Sequence, residues 1–347
     1  MIDNGKISII VPMYNCAEYA PKCIENILSQ SYKNWELWLV HGDSNDGTEQ
    51  VCQKYEDQDE RINNIFHIDG LVPARNVGYE RATGDWIMYI DGDDWVDGDC
   101  LVEIMEAAKR YDNPDVVFWN CLQELDGRSI KGCNRWNIKN DERLYTSEEC
   151  RMLSQNTLEY TSGIATAYSK LIKSTFAHEF DLGHNKKLRQ GMEGVEFSLR
   201  VFYNANTALF LNKDYNHYRF NPNSLSKVVS KKNTQYIFDS IVECNNFINT
   251  ISINRDVFLR NLYNRSVYAL IAVAMSTYFH PNNHDKFSIK KTEFKEWIYK
   301  NEFQLALKNV RIEKFSWGRK VAIYALKMEQ YWVLAMLAMI KNTFRKK

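Results

Sequence analysis

Trp86-Ile87-Met88-Tyr89-Ile90-Asp91-Gly92-Asp93-Asp94-Trp95 is the stretch whose reading decides the fold. Five apolar residues run straight into three carboxylates with one glycine among them. Gly84-Asp85 before the run and Gly92 after it bound a short buried strand. In an open α/β sheet, the loop at a strand's carboxyl end is where ligands bind. The stretch therefore aims Asp91, Asp93 and Asp94 out of a sheet edge. Hard cations such as Mg²⁺ and Mn²⁺ take oxygen ligands of this kind and share them with substrate phosphates. Taken alone, an Asp-x-Asp is more often a solvated turn, so the flanking chain has to decide.

Working outward, Ile7 to Pro12 is a β-branched run ended by proline and reads as a buried first strand. Ala20 to Gln30 has the apolar spacing of a helix, with Cys23, Ile24, Ile27 and Leu28 on one face. Trp35 to Val40 is a second strand, breaking into the turn formers His41 to Thr48. A helix over Thr48 to Tyr55 follows, capped by Asp46 or Thr48, and Ile65 to Ile68 reads as a third strand. Ala74 to Ala82 is helical and stops at Thr83-Gly84. Beyond the acidic turn come a helix over Leu101 to Arg110, a strand over Val116 to Trp119, and a polar loop or β-ribbon from Asp126 to Asp141. Val195 to Tyr203 is helical, and Ala208 to Leu211 and Tyr215 to Phe220 read as two strands. Strands alternating with helices of this length predict a mainly parallel sheet with right-handed crossovers.

Whole-chain properties narrow the class. The 347 residues carry 44 basic and 44 acidic side chains, which argues against a globally electrostatic nucleic-acid binder. Eight cysteines at irregular spacings include no Cys-x-x-Cys pair, so zinc and thioredoxin-type sites are unsupported. The start, Met1 to Lys6, does not read as a signal peptide, and no run of roughly 18 apolar residues predicts a bilayer-spanning helix. The expected location is cytoplasmic. Near Asn221 to Ser224 the turn signals thin and long helical patterns take over, over 235–252, 256–279 and 287–300. The expected division is residues 1–228 and a helical region of 229–347.

Ile9-Ile10-Val11-Pro12-Met13-Tyr14-Asn15, the turn Gly42 to Thr48, Ala74-Arg75-Asn76-Val77-Gly78 and Asp91-Gly92-Asp93-Asp94 together resemble the family 2 glycosyltransferases. The resemblance covers about residues 7 to 220. It implies the GT-A fold, a Rossmann-like and mainly parallel central sheet flanked by helices. It also implies a nucleotide-sugar donor, UDP-linked, a divalent Mn²⁺ or Mg²⁺, and inverting transfer to an acceptor hydroxyl. Asp93 and Asp91 match the metal carboxylates, Asp91 also facing the ribose, and Asp94 supports the loop. Pro12, Tyr14 and Asn15 match positions framing the nucleobase, with Tyr14 offering a stacking face. Arg75 matches the position that approaches the diphosphate, where a guanidinium suits phosphate oxygens. Tyr215 to Arg219 with Ser224 to Ser226 looks like the family's closing strand and loop, in which His217 faces phosphate or metal or simply packs. The Gln-x-x-Arg-Trp signature of processive synthases is missing, which favours addition of a single sugar.

Two departures stand out. The family's second-strand turn usually starts with an acid that reads the base; here it reads His41-Gly42-Asp43-Ser44, and Asp43 is the candidate to take over. The family's general base is the Asp of Gly-Glu-Asp-x-x-Phe-x-x-Arg. This chain reads Met192-Glu193-Gly194-Val195-Glu196-Phe197-Ser198-Leu199-Arg200. Phe197 and Arg200 set the register and put Gly194 where the base should stand. Glu193 is the candidate base, with Glu196 and Asp181 as weaker alternatives.

The tail 318–347 is amphipathic to broadly apolar and ends in a basic cluster, suited either to an anionic inner membrane surface, where lipid-linked acceptors lie, or to packing on its own domain or a partner subunit. Three functions compete: an active glycosyltransferase acting on a saccharide or lipid-linked saccharide in capsule or other surface polysaccharide assembly; a donor-binding, catalytically impaired subunit; and a nucleotidyltransferase, disfavoured because its lysine- and glycine-rich first loop is missing.

Overall fold

The computed structural model describes residues 5–345 apart from 69, 126, 132–134, 137 and 221–229. Its chain divides into two compact units, one of Met1–Thr157 with Thr161–Asn221 and one of Leu158–Tyr160 with Pro222–Lys347. The boundary expected at 228 lies outside the described residues.

The first unit is built on a ten-stranded sheet. Its strands are β1 (Ile7–Met13), β2 (Trp35–His41), β3 (Ile62–Phe66), β4 (Trp86–Tyr89), β5 (Trp95–Val96), β6 (Val116–Leu125), β7 (Arg128–Lys131), β8 (Glu142–Thr146), β9 (Lys170–Lys173) and β10 (Thr207–Arg219). Their order is β3-β2-β1-β4-β9-β6-β10-β5, with β7 on β6 and β8 on β10. β1 pairs in parallel with both β2 and β4, and β2 with β3. The chain therefore winds one way from β1 to β3 and the other way to β4. That reversal is the switch point at which doubly wound sheets bind ligands.

Every residue of β1 is buried, as a strand covered on both faces must be. Ile7, Ile9, Val11 and Met13 enter one core layer with Cys23, Ile24 and Ile27 of the helix Ala20–Ser29. Ile10 enters the other, with Tyr89, Phe118, Phe197 and Phe210. The carboxyl half is mixed, because β9 is inserted antiparallel between β4 and β6.

Several elements differ from the sequence reading. The third strand is Ile62–Phe66, not 65–68, because Ile62 is its buried residue and pairs with Leu37. The two strands expected over 208–220 are one, β10, carried through by register shifts between Leu211 and Asn216. β5, β8 and β9 were not anticipated; each is five residues or shorter and owes its pairing to a neighbour. Part of the 126–141 segment forms a β-ribbon, with β7 antiparallel to β6. The seven described cysteines are free.

The second unit is helical: Lys231–Thr250, Arg255–Val273 running into a π-helical turn Ala274–Tyr278, Phe287–Ile298, Asn301–Asn309, Trp317–Lys327 and Tyr331–Arg345. Phe258, Phe294, Tyr278, Ile323 and Leu334 form its buried centre. Among the described residues, no helix is long and apolar enough to cross a membrane.

One buried cation marks the first unit. Lys170 on β9 is 1% exposed, and its Nζ donates to Thr166 O at 2.5 Å. Burial lowers its pKa to about 7. Between that value and the ordinary lysine value the unfolded chain binds the extra proton, so this residue makes stability rise with pH across that window. Urea titrations at pH 7 and pH 9.5 are expected to show wild type gaining stability relative to Lys170→Met as pH rises; parallel curves would contradict this.

Candidate active site

The acidic turn is fastened to the end of β1. Ile90 N donates to Ile10 O at 3.1 Å, and Asp94 N donates back to Asp91 O at 2.9 Å. Gly92 sits so close that a Cβ there would lie 2.6 Å from Met13 Sδ and 3.0 Å from Pro12 O. Only glycine allows this approach, which is why the carboxylates are split by one. Asp94 is buried at 2% exposure and accepts the Arg219 backbone N–H at 2.8 Å. Burial, with Asp91 and Asp93 alongside, pushes its carboxyl well above the usual range. Asp94 thus ties the turn to the end of β10. Arg219 Nε also donates to Asp93 O at 3.0 Å. Asp91 and Asp93 remain half-buried on the same turn.

Beside the turn stands a three-member ion cluster. Arg75, on the helix Leu71–Arg81, donates from Nη2 to Asp91 Oδ1 at 2.7 Å and from Nη1 to Glu193 Oε1 at 3.1 Å. Its side chain is 3% exposed. Burial opposes its charge, but Asp91 and Glu193 outweigh that and raise its pKa. Glu193 is the first residue of the helix Glu193–Asn204, where a carboxylate also meets the positive end of the helix dipole.

The alternatives to Glu193 are placed elsewhere. Glu196 is 2% exposed and takes both Nε and Nη2 of Arg200, at 2.7 and 3.1 Å. Asp181 is exposed, and its backbone carbonyl accepts from Arg200 Nη1. Gly194 faces a loop backbone: a Cβ there would meet Ala165 O at 3.0 Å and Ala167 N at 3.1 Å.

The first two strand ends form a laced rim. Asn15, in left-handed backbone, donates from its N–H to Ser44 Oγ at 3.0 Å and accepts Asn45 N–H at Oδ1 at 3.2 Å. Asp46 accepts from Thr48 N and Oγ1 and from Ala17 N. Tyr14 is 53% exposed beside Gly42, and Asp43 is exposed; Pro12 is buried within β1. His41 is a buried strand residue packed on Phe66, not a loop histidine.

His217 does not face a ligand through its ring nitrogens. Nδ1 meets Glu124 at 2.7 Å and Nε2 meets Asp97 at 2.8 Å, and the ring stacks on Trp95 at 4.9 Å. Ser224 to Ser226 lie outside the described residues. Sequence reasoning missed a cationic corner beside the turn: Lys22 Nζ lies 3.2 Å from the Trp95 ring centre, and Arg219 lies over both Trp95 and Tyr19. Burial and Arg219 lower the Lys22 pKa. The signal was available only as Trp95 following directly on the acidic run.

The fold and site define an α/β protein of the doubly wound kind with an acidic loop at its switch point. Residues 8–175 match the family model described as Glycosyl transferase family 2, and this part of the chain is similar to that family. Glycosyltransferase GlyA of Streptococcus pneumoniae serotype 4 is 28% identical over 256 residues, covering 70% of this chain and 34% of that protein. The chain thus spans about a third of that relative's length. GalNAc(5)-diNAcBac-PP-undecaprenol beta-1,3-glucosyltransferase of Campylobacter jejuni is 26% identical over 231 residues, 65% of this chain and 69% of its own. In fold, the chain is similar to S. aureus TarS 1-349 in complex with UDP-GlcNAc, with a TM-score of 0.66, 18% identity, and 97% and 92% of the two chains covered.

Gly194→Asp tests whether an acid at the family's position suits this chain. It is expected to lower stability by about 1–3 kcal/mol through overpacking; an unchanged denaturation midpoint would show that the loop yields to the side chain. Denaturant titration reads the effect.

Proposed function

We propose that this protein moves one sugar from a UDP-linked donor to the hydroxyl of a saccharide or lipid-linked saccharide acceptor, with inversion, in the assembly of a capsule or related cell-surface glycoconjugate. The observation that carries this is the placement of Asp91 and Asp93 at the carboxyl end of β4, at the switch point, directly beside the Arg75–Glu193 pair. The family match and the fold likeness to a UDP-GlcNAc-bound protein support the donor class. The Campylobacter relative, named for a transfer to a diphosphate-undecaprenol-linked saccharide, supports a lipid-linked acceptor.

Asp91 and Asp93 fit a Mn²⁺ or Mg²⁺ ion by the chemistry of their donors. Two carboxylates on one turn suit an ion that takes its other oxygens from a diphosphate. When bound, it supplies charge neutralisation to the departing UDP. The chain does the rest. Pro12, Tyr14, Asn15 and Asp43 frame the base. Glu193 takes the acceptor proton at a carboxylate oxygen as the hydroxyl attacks the sugar from the face opposite UDP.

Asp93→Ala is expected to abolish transfer from a UDP-sugar panel with Mn²⁺, EDTA to do the same, and Glu193→Gln to cut kcat by about 10²–10⁴-fold. Full activity in Glu193→Gln would exclude that base. A wild type that binds the UDP-sugar but turns over none of the panel would favour the second reading, a donor-binding subunit; Gly194 is what keeps that reading in play.

The finer partner is an anionic membrane surface. On Trp317–Lys327, on Tyr331–Arg345 and at Met328 between them, Trp317, Tyr324, Met328, Trp332, Met336 and Ile340 are exposed, while residues 317–347 carry seven Lys and Arg against the single acid Glu329. This pairing of apolar and basic groups fits a bilayer interface; residues 346 and 347 lie outside the described ones. Co-sedimentation with phosphatidylglycerol vesicles is expected, to fall in high salt, and to be lost in Trp332→Asp; sedimentation unchanged by that variant would count against the contact.

A further inference from the structure

Arg75 is the buried ionic group whose contacts differ most from the role its position implies. A diphosphate ligand must be able to turn guanidinium N–H groups toward phosphate oxygens in an open site, and Arg75 Nε, though it makes no hydrogen bond, is itself buried. Here Nη2 is committed to Asp91 at 2.7 Å and Nη1 to Glu193 at 3.1 Å, and the side chain is 3% exposed. A guanidinium is a rigid planar fork. Two carboxylates bound to its two ends are therefore held at a set spacing and angle to each other. One of them belongs to the turn after β4 and the other to the first turn of Glu193–Asn204.

The surrounding backbone stiffens the same connection. Asn76, next to Arg75, donates from Nδ2 to His184 O at 2.9 Å, and Val72 N donates to Arg189 O at 3.3 Å. The helix that carries Arg75 thus holds the loop that leads into Glu193. On its other side the backbone of residues 165–167 passes so close to Gly194 that a Cβ there would meet Ala165 O at 3.0 Å, and Ser198 Oγ donates to Thr166 O at 2.9 Å, tying the same helix to that loop.

We propose that Arg75 is a positioning residue that sets Glu193 relative to Asp91, joining the donor side of the site to its proton acceptor, and is not itself a ligand of the diphosphate. The inference rests on the reading of Glu193 as base. It says that the base of this chain works from its place only because one arginine spans both halves of the site. Lysine, a point charge on a flexible stem, keeps the charge but cannot hold two carboxylates in one plane.

The test uses the full chain, the UDP-sugar that wild type consumes, and UDP with Mn²⁺ as binding probe. Arg75→Lys is expected to keep the Kd for UDP, measured by calorimetry, within about twofold and to lose kcat by about tenfold to a hundredfold, the scale of a misplaced catalytic group. The double variant Arg75→Lys/Glu193→Gln is expected to be no slower than Glu193→Gln alone. A tenfold weaker UDP Kd with kcat retained would make Arg75 a diphosphate ligand and overturn the proposal, as would full additivity of the two losses. If Glu193→Gln keeps wild-type kcat, the base reading fails; a loss of kcat in Arg75→Lys would then assign Arg75 to Asp91 alone and overturn the joining role. Should Arg75→Lys not fold, Arg75→Gln/Glu193→Gln, which removes both charges together, carries the same UDP titration: a Kd within twofold of wild type supports the proposal and a tenfold loss overturns it.

Discussion

The rest of the structure depends on β1 being hydrogen-bonded on both sides at once. Its parallel partners β2 and β4 lie in opposite directions from it, so two separate chain segments deliver their loops to one edge. Neither loop makes a site alone. The rim at Tyr14, Asn15 and Asp43 comes from the β1 and β2 ends, and the carboxylates come from β4. Only a strand with every residue buried can hold both, because each face must be apolar to accept a core layer. The burial of Ile9 and Ile10 on opposite faces is thus a condition for the chemistry, although neither touches it.

Around that edge the chain spends stability on charge. Arg75, Asp94 and Lys170 are all buried, and each would be expensive without a partner. Their partners differ in kind. Arg75 has two carboxylates, Asp94 has a backbone N–H, and Lys170 has the carbonyl of Thr166. A carboxyl pushed upward and an ammonium pulled down toward neutrality lose part of their burial cost by losing charge. Arg75 cannot follow, since its guanidinium stays protonated, so it alone must be neutralised by its surroundings. Removing one member of such a pair typically costs about 3–5 kcal/mol, which makes the acidic turn and the Glu193 helix mutually dependent.

The parts legible in the sequence were those coded locally. β1, β2 and β4 are short runs of Ile, Val, Trp and Leu ended by turn formers, and the acidic turn announces itself by composition. The parts that were not legible are set by partners far along the chain. Arg75 and Glu193 are 118 residues apart, and no spacing rule connects them. His217 reads as a ligand or a packed strand residue until Asp97 and Glu124, 120 and 93 residues away, close on its two nitrogens. β9 is four residues long and takes its identity from lying between β4 and β6. β10 looked like two strands because its polar middle, Asn212 to Asp214, breaks the apolar pattern that its neighbours on β6 sustain.

Gly194 has a consequence of another kind. One base change turns any glycine codon into an aspartate or a glutamate codon, so an acid at this position is a single step away in genetic terms. The backbone of residues 165–167 fills the space its side chain would need, so that step gains nothing unless the loop changes as well. The glycine and the loop are thus sterically coupled: a side chain at 194 requires the backbone of 165–167 to shift with it.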